Sequence, residues 1–359
     1  MLKELDYLTK SVKNNSIKDK DEIQGEMTMK KIINDPNQVV QDMIKGLVAA
    51  YPDTVKQVPD TLVIARSEAP VANKVGIVSG GGSGHEPAHA GYVGKGMLDA
   101  AVAGEVFTSP TPDQVLEAIK AVDSGKGVFL VIKNYTGDVL NFEMAAELAE
   151  AEGIEVEKVV VNDDVAVEDS SFTTGRRGIA GTVFVHKIAG AKAESGAALE
   201  EVKAVADKVV KNVRSMGMAL SPCTVPAAGK PSFELDQNEM EIGIGIHGEP
   251  GIERKPIKTA DEIAAELISK ILDDIDFSSG DDAAVMINGL GSTPEMELYI
   301  LNGKVNEILK EKGINVYKTY VGEYMTSLEM AGCSVTILKL DDELKTLLDA
   351  ESLAPAFRS

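Results

Sequence analysis

Residues 75–87 read Val-Gly-Ile-Val-Ser-Gly-Gly-Gly-Ser-Gly-His-Glu-Pro, an apolar run that leads directly into a glycine-rich stretch. The apolar run has the composition of a buried strand, and we predict a strand over 75–78. Four of the five residues from 80 to 84 are glycine, and each glycine costs a regular element about 0.5–1 kcal/mol relative to alanine. The stretch is therefore either a tight strand-to-helix turn or a backbone cradle for a small polar ligand. We favour the cradle, because His85 and Glu86 follow at once.

Similar apolar runs alternate with helical patterns on both sides of this stretch. The spacing predicts further strands over 62–65, 128–132 and 156–161 and helices over 113–122 and 142–152. This alternation is typical of an α/β fold with a largely parallel sheet. The near-continuous apolar character of the strands predicts that helices cover both faces of the sheet.

The second half of the chain resumes the same pattern after a change of composition. A long helical stretch over 191–213 is followed by a Pro/Gly-rich loop over 221–231, which is the candidate domain boundary. The elements predicted beyond it are strands over 240–246 and 283–287 and helices over 260–272 and 295–312. We therefore predict two α/β domains, residues 27–215 and 216–359, each with a largely parallel or mixed sheet flanked by helices. Residues 1–26 are predicted to be a weakly ordered extension.

Charge and composition restrict the kinds of partner. The 359 residues include 36 Lys and Arg against 57 Asp and Glu, a formal net charge of −21. This acidic excess disfavours nucleic acid and anionic membranes as partners. No run of 18 apolar residues and no signal-peptide pattern is present, so we expect no membrane span. Only Cys223 and Cys333 are cysteines, which excludes a disulfide framework and favours a cytoplasmic location.

Familiar catalytic motifs do not explain the glycine-rich stretch. It lacks the Gly-Lys-Ser/Thr ending of a P-loop, the third glycine of a dinucleotide-binding turn and the pattern of a nucleophile elbow. Residues 85–89 do spell His-Glu-x-x-His, but a zinc protease needs both histidines on one continuous helix. Pro87 is tolerated only in the first turn of a helix, which would leave His85 outside it. We therefore predict no metal site here.

Two more segments place polar side chains where predicted strands end. Residues 241–251 read Glu-Ile-Gly-Ile-Gly-Ile-His-Gly-Glu-Pro-Gly and deliver His247 into a turn. Because the chain has four histidines and two of them, His85 and His247, follow predicted strands in such turns, we favour a functional role for both. Residues 133–138 read Lys-Asn-Tyr-Thr-Gly-Asp, and Asp138 is either a helix cap or a general base. The local pattern does not choose between these roles.

Taken in order, these segments closely resemble the substrate-binding K subunit of dihydroxyacetone kinase. The segments that carry the resemblance are residues 80–92, 104–110, 133–138, 175–178, 223–230 and 245–251. The resemblance extends from about Met29 to the end of the sequence and leaves residues 1–26 outside.

The resemblance implies a two-domain α/β homodimer with its active site in the cleft between the domains. It also implies that His247 binds the carbonyl of dihydroxyacetone covalently, as a hemiaminal. The matching loop Gly82, Ser83, Gly84 and His85 would hold the substrate, with Lys133 nearby. His85 and Asp138 would act as acid and base on its hydroxyl groups.

The resemblance further implies that no cofactor is bound by this chain. In the family, ADP or ATP with magnesium is carried by a separate L subunit, and the phosphate comes from ATP or from the phosphoenolpyruvate phosphotransferase system. An alternative in the same family is a dihydroxyacetone-binding coactivator or sensor, which needs His247 but no base. The presence of both Asp138 and His85 favours the kinase subunit. The Gly-Arg-Arg-Gly segment at 175–178 either orients a phosphate-bearing partner or is a solvated surface turn.

Overall fold

The computed structural model describes residues 30–168 and 173–359. The chain divides into two compact units, Met1–Val39 and Val40–Ser359. The predicted extension over residues 1–26 lies outside the described residues, and the predicted division at residue 215 stays a prediction. Within the described ranges, no helix combines the length and the apolar character that crossing a membrane requires.

Helices and strands alternate through most of the larger unit. The described helices are α1 (Val39–Ala50), α2 (Pro112–Val122), α3 (Thr136–Ala151), α4 (Thr182–Glu194), α5 (Leu199–Asn212), α6 (Ala260–Asp274), α7 (Glu295–Glu311) and α8 (Asp342–Asp349). The described strands are β1 (Val55–Gln57), β2 (Val63–Arg66), β3 (Gly76–Ser83), β4 (Ala100–Val106), β5 (Val128–Lys133), β6 (Val156–Val161), β7 (Val213–Ala219), β8 (Glu239–Ile242), β9 (Glu253–Pro256), β10 (Asp282–Gly289), β11 (Asn315–Gly322), β12 (Gly332–Leu340), β13 (Leu353–Ala354) and β14 (Phe357–Arg358).

The first sheet is mixed and has a parallel core. Its strand order is β1-β2-β4-β3-β5-β6, and β4, β3, β5 and β6 pair in parallel. Val78, Leu130 and Ile132 point into a core shared with α2 and α3, and the alternate residues Ile77 and Phe129 are also buried. Helices α4 and α5 contact strands of the same sheet. The sequence prediction of a sheet buried on both faces is therefore confirmed.

The second sheet is mixed but predominantly antiparallel. Its strand order is β11-β10-β12-β7-β8-β9, and among these pairs only β10 and β11 run parallel. The sequence analysis missed β12, which lies between β10 and β7 and pairs with both in antiparallel register. Helices α6 and α7 pack on this sheet through residues such as Leu267, Ile271 and Val305.

The helices predicted to begin at 142 and 191 begin earlier, at Thr136 and Thr182, and three further boundaries were wrong at a glycine. The helix predicted over 191–213 is two helices, because the chain turns at Gly196, where φ is +83°. The strand predicted over 240–246 ends at Ile242, because Gly243 has φ +79° and begins a turn. Conversely, the strand predicted to end at 78 continues through the glycines to Ser83, with Gly80, Gly81 and Gly82 paired to β4. The left-handed residues Gly196 and Gly243 therefore end an element, whereas the glycines of β3 let the strand continue where its neighbours are too close for a side chain.

Candidate functional site

Four of the segments singled out in the sequence, 75–87, 104–110, 133–138 and 241–251, meet at one cleft of about 550 Å³. It lies beside the carboxyl ends of β3 and β5 and the turn that follows β8. The residues that line it are Gly82, Phe107, Thr108, Ser109, Tyr135, Gly137, Asp138, Asn141 and His247. Of the predicted site residues, Gly82, Asp138 and His247 therefore face the cleft directly. The ring of His85 lies behind that of His247, with the two centroids 4.8 Å apart.

The remaining predicted residues lie close by but contact other parts of the protein. Lys133 is fully buried at the end of β5. The Ser83 hydroxyl donates to the carbonyl of Gly104 at 2.7 Å, and the backbone N–H of Gly84 donates to the carboxylate of Glu86 at 3.1 Å. Ser83 and Gly84 therefore shape the loop, and neither is among the residues that line the cleft.

The glycines of β3 are required by close approach. A Cβ on Gly80 would lie 2.5 Å from the carbonyl oxygen of Val102, and one on Gly82 would lie 2.5 Å from the backbone nitrogen of Thr108. A Cβ on Gly81 would lie 3.0 Å from Nζ of Lys133, which shows that bare backbone faces the buried polar groups. Close packing within the protein therefore explains these glycines, and the cradle for a ligand stays a prediction in which Gly82 lines the cleft.

His247 is held in one orientation by Glu249. The Nδ1 atom of His247 lies 2.9 Å from Oε1 of Glu249, and the backbone N–H of His247 donates to Oε2 at 2.9 Å. Although burial alone would raise the pKa of Glu249, its interactions with His247 and the charge of Arg177 lower it to about 2. Because an ionised carboxylate only accepts hydrogen bonds, Nδ1 carries the proton. The lone pair of a neutral ring is then on Nε2, and the side chain is 15% exposed at the cleft.

Aromatic rings surround His247. The centroids of Tyr135 and Phe107 lie 4.5 Å and 5.2 Å from that of His247, both edge to face. Phe107 also stacks on His85 at 5.1 Å and takes a left-handed backbone conformation, with φ +56°. These rings form rigid apolar walls that leave room for a small ligand.

His85 is a neutral hydrogen-bond acceptor at the back of the site. Its Nδ1 lies 2.8 Å from the carbonyl oxygen of Thr326, which can only accept, so Nδ1 carries the proton. Burial lowers the pKa of His85 well below its usual value, and the charges of Lys133 and His247 lower it further. Its Nε2 is buried and has no hydrogen-bond partner among the described residues.

Lys133 and Asp138 are buried charges with unused hydrogen-bonding capacity. In the part of the chain that the structure describes, Nζ of Lys133 and Oδ1 of Asp138 have no hydrogen-bond partner. Burial lowers the pKa of Lys133 against the opposing effects of Asp138 and Glu249. Burial raises the pKa of Asp138, opposed by Lys133, a hydrogen bond from Ser109 and His247. Since unpaired buried polar groups are costly, this arrangement indicates a polar ligand.

Asp138 does not occupy the N-cap of α3. Tyr135 stands at that position and its side chain makes no capping bond, whereas Asp138 lies in the first turn of the helix. The role of helix N-cap is therefore wrong for Asp138, and its role as a general base stays a prediction.

The sequence analysis missed several residues that shape the site. Glu249, Tyr135 and Phe107 stand within the quoted segments but received no role. Arg177 is fully buried and paired with Asp164, so the interpretation of 175–178 as a solvated surface turn is wrong for this residue. The available signal was that each of these residues stands within a segment that bears the family resemblance, and that Glu249 and Arg177 are each next to a glycine.

The His-Glu-x-x-His segment does not form a zinc site in the structure. Residues 85–89 form turns, not an α-helix. His85 faces His247, whereas Nδ1 of His89 lies 2.9 Å from Nε2 of His186. Across the described ranges, no group of three or more His, Cys, Asp or Glu side chains is arranged to hold a metal ion.

Comparison with known proteins gives a consistent result. The profile of the Dak1 domain matches residues 45–356. Over 315 residues the chain is 60% identical to the dihydroxyacetone-binding subunit of PTS-dependent dihydroxyacetone kinase 1 from Listeria innocua, covering 88% of this chain and 95% of that protein.

Solved structures share the fold over nearly the whole chain. The native dihydroxyacetone kinase of C. freundii aligns with a TM-score of 0.85 and 36% identity, over 92% of this chain and 60% of that one. A dihydroxyacetone kinase operon co-activator aligns with a TM-score of 0.83 and 39% identity, over 88% of this chain and 97% of that one.

Proposed function

We propose, from the premise that this chain belongs to the Dak1 domain family, that it is the dihydroxyacetone-binding subunit of a PTS-dependent dihydroxyacetone kinase. The observation that carries the proposal is the orientation of His247. Its Nδ1 is bonded to Glu249, so Nε2 is the nitrogen with a lone pair, on a residue that lines the cleft. Neutral imidazole nitrogen is a competent nucleophile toward a ketone.

Capture of the substrate is a single addition. The Nε2 lone pair of His247 attacks the carbonyl carbon, a C–N bond forms as the π bond of the carbonyl breaks, and a hydronium ion of the solvent protonates the oxygen, so capture takes up one proton overall. The ring gains a positive charge, which the ionised Glu249 at Nδ1 stabilises. Glycerol, which has no carbonyl group, cannot be captured in this way. Covalent capture therefore selects a short-chain ketone more sharply than the shape of the cleft.

Phosphorylation then uses the buried charges beside the cradle. Asp138 accepts the proton of the bound hydroxyl as its oxygen attacks the phosphorus atom. Neutral His85 accepts a hydrogen bond from a substrate hydroxyl at Nε2, and Lys133 supplies positive charge near Asp138. The phosphoryl donor, an adenine nucleotide with magnesium, belongs in this proposal to a partner L subunit. The family resemblance adds a homodimer and a cytoplasmic location to the proposal.

A coactivator or sensor is the second candidate, favoured by the similarity to the co-activator structure. Such a protein would need His247 for capture but would have no use for a base. Asp138 supports the kinase subunit instead: among the described residues its buried Oδ1 has no hydrogen-bond partner, and a carboxylate at this place can act as the base that a sensor does not need.

Two measurements test the proposal. Native mass spectrometry of the chain with dihydroxyacetone should show one adduct per chain, absent with glycerol and absent in His247→Ala. Addition of the L subunit and a phosphoryl donor should then produce dihydroxyacetone phosphate. Capture without phosphorylation would favour the sensor, and an unchanged adduct in His247→Ala would remove this residue from the mechanism.

A further inference from the structure

The segment 173–178 is attached to the strand end that carries Lys133. The Thr173 hydroxyl donates to the carbonyl of Asn134 at 2.5 Å, and Nδ2 of Asn134 donates back to the carbonyl of Arg176 at 2.7 Å. A Cβ on Gly178 would lie 2.4 Å from the carbonyl oxygen of Val161 and 3.0 Å from Cα of Lys133. The segment therefore packs directly against the backbone of the β5 side of the site.

The side chain of Arg177 reaches from this segment to the other side of the site. It is 0% exposed, its Nε donates to Oδ2 of Asp164 at 2.8 Å, and its Nη2 donates to the carbonyl of Gly243 at 2.8 Å. Gly243 begins the turn that leads to His247. One guanidinium thus connects a segment packed on Lys133 with the turn that carries the proposed nucleophile.

The same guanidinium lies beside the carboxylate that orients His247. A Cβ on Gly245 would lie 1.9 Å from Oε2 of Glu249 and 2.7 Å from Nη1 of Arg177, so both groups occupy the bare face of this glycine. Glu249 is itself buried, and Nη1 has no hydrogen-bond partner within residues 30–168 and 173–359. A buried carboxylate needs a nearby positive charge to stay ionised, and Arg177 supplies one.

We propose that Arg177 is a positioning residue for His247: it holds the turn at Gly243 and stands beside Glu249, so that Glu249 keeps the ring oriented with Nε2 toward the cleft. The inference rests on the proposed function of His247. Stability alone is a weak reason for the buried pair of Arg177 and Asp164, because apolar residues of similar volume are often as stable as a buried ion pair. The planar guanidinium of an arginine can instead donate hydrogen bonds to several acceptors in a fixed geometry, whereas the ammonium group of a lysine cannot.

The neighbouring arginine provides a matched control. Arg176 forms its ion pair with Asp274, and its side chain is partly exposed. It has the same charge, stands next in sequence and does not bond to the His247 turn. Arg176→Met should therefore leave capture unchanged.

Two variants separate positioning from folding. Arg177→Lys keeps the positive charge and loses the planar guanidinium. The double variant, Arg177→Met with Asp164→Asn, removes both charges, so that no carboxylate is left unpaired at position 164. For each, native mass spectrometry gives the affinity for dihydroxyacetone, and ¹⁵N NMR of the ligand-free protein gives the tautomer of His247. Thermal unfolding shows whether each variant folds.

We expect wild type and Arg176→Met to show one tautomer, with the proton on Nδ1, and the same affinity. Arg177→Lys should bind at least about tenfold more weakly, the equivalent of one charged hydrogen bond, and the double variant should also show mixed tautomers of His247. If the double variant does not fold, the affinity of Arg177→Lys for dihydroxyacetone decides. Wild-type affinity and a single Nδ1-protonated tautomer in the folded variants would overturn the inference. If wild type forms no adduct, the proposed function fails, whereas the tautomer in the ligand-free protein still tests Arg177.

Discussion

At the scale of single residues, the partner of one ring nitrogen decides what each histidine can do. His247 and His85 both have a protonated Nδ1, bonded in one case to the carboxylate of Glu249 and in the other to the carbonyl of Thr326. Both therefore leave Nε2 with its lone pair. His247 lines the cleft and is the candidate nucleophile, whereas the fully buried His85 can only accept a hydrogen bond from a bound ligand.

Replacement of the proposed base separates capture from turnover. We expect Asp138→Asn to form the adduct and to lose about 10²–10⁴-fold in kcat, the usual contribution of a general base. The base must be ionised, so activity falls as the pH drops through its pKa. Since burial raises the pKa of Asp138, this loss should begin at a higher pH than for an ordinary carboxyl group. The measurement is kcat against pH with the L subunit, and near-normal turnover in the variant would contradict the assignment.

A single methyl group should damage the cradle. In Gly82→Ala the new Cβ would lie 2.5 Å from the backbone nitrogen of Thr108 and 2.7 Å from the carbonyl carbon of Phe107, neither of which can move cheaply. We expect the affinity for dihydroxyacetone to fall by at least about tenfold, as isothermal calorimetry would measure. Gly303→Ala in α7 is the control, because a Cβ there has no neighbour within 4 Å. It should leave binding intact and stabilise the helix by about 0.5–1 kcal/mol.

At the scale of elements, β3 and α3 position the site by packing on each other. The first turn of α3 carries Asp138, and its second turn places Phe142 in the core of the first sheet. A Cβ on Gly80 of β3 would lie 3.2 Å from Cζ of Phe142. The glycines therefore let the strand approach the helix closely, which brings the cradle and the base together.

The buried and exposed faces of α3 should differ in their effect on stability. Phe142→Ala removes a fully buried ring and should lower the free energy of unfolding by about 3–5 kcal/mol. Met144→Ala on the same helix is the control, because Met144 is 54% exposed and its change should stay within about 0.5 kcal/mol. Denaturation in urea measures both, and equal losses would show that the helix does not pack as described.

At the scale of the whole molecule, the two sheets contribute different chemistry to one cleft. The first sheet and its helix α3 supply the glycine backbone, Lys133 and Asp138, and the turn after β8 of the second sheet supplies His247. Arg177 bonds to that turn across 66 residues of sequence. The site therefore exists only when both sheets are folded and in contact.

Binding should consequently stabilise the whole fold. A ligand that binds only the folded state stabilises it by about 2.7 kcal/mol at one hundred times its Kd. We expect dihydroxyacetone at this concentration to raise the free energy of unfolding of wild type by this amount, as denaturation in urea would measure, and to leave that of His247→Ala nearly unchanged. A shift of equal size in the two proteins would show that the stabilisation does not come from capture at His247.

The sequence by itself determined the alternating α/β pattern, the glycine-rich stretch and the turns that hold His247 and Asp138. These are local features, because strand and turn propensities depend on residues that are close in the chain. Only the tertiary structure decided that the glycines continue β3, that β12 makes the second sheet mainly antiparallel, and that Arg177 is buried beside Glu249. The physical reason is that strand pairing, the burial of a charge and the tautomer of a histidine depend on groups that the folded chain brings together from distant positions.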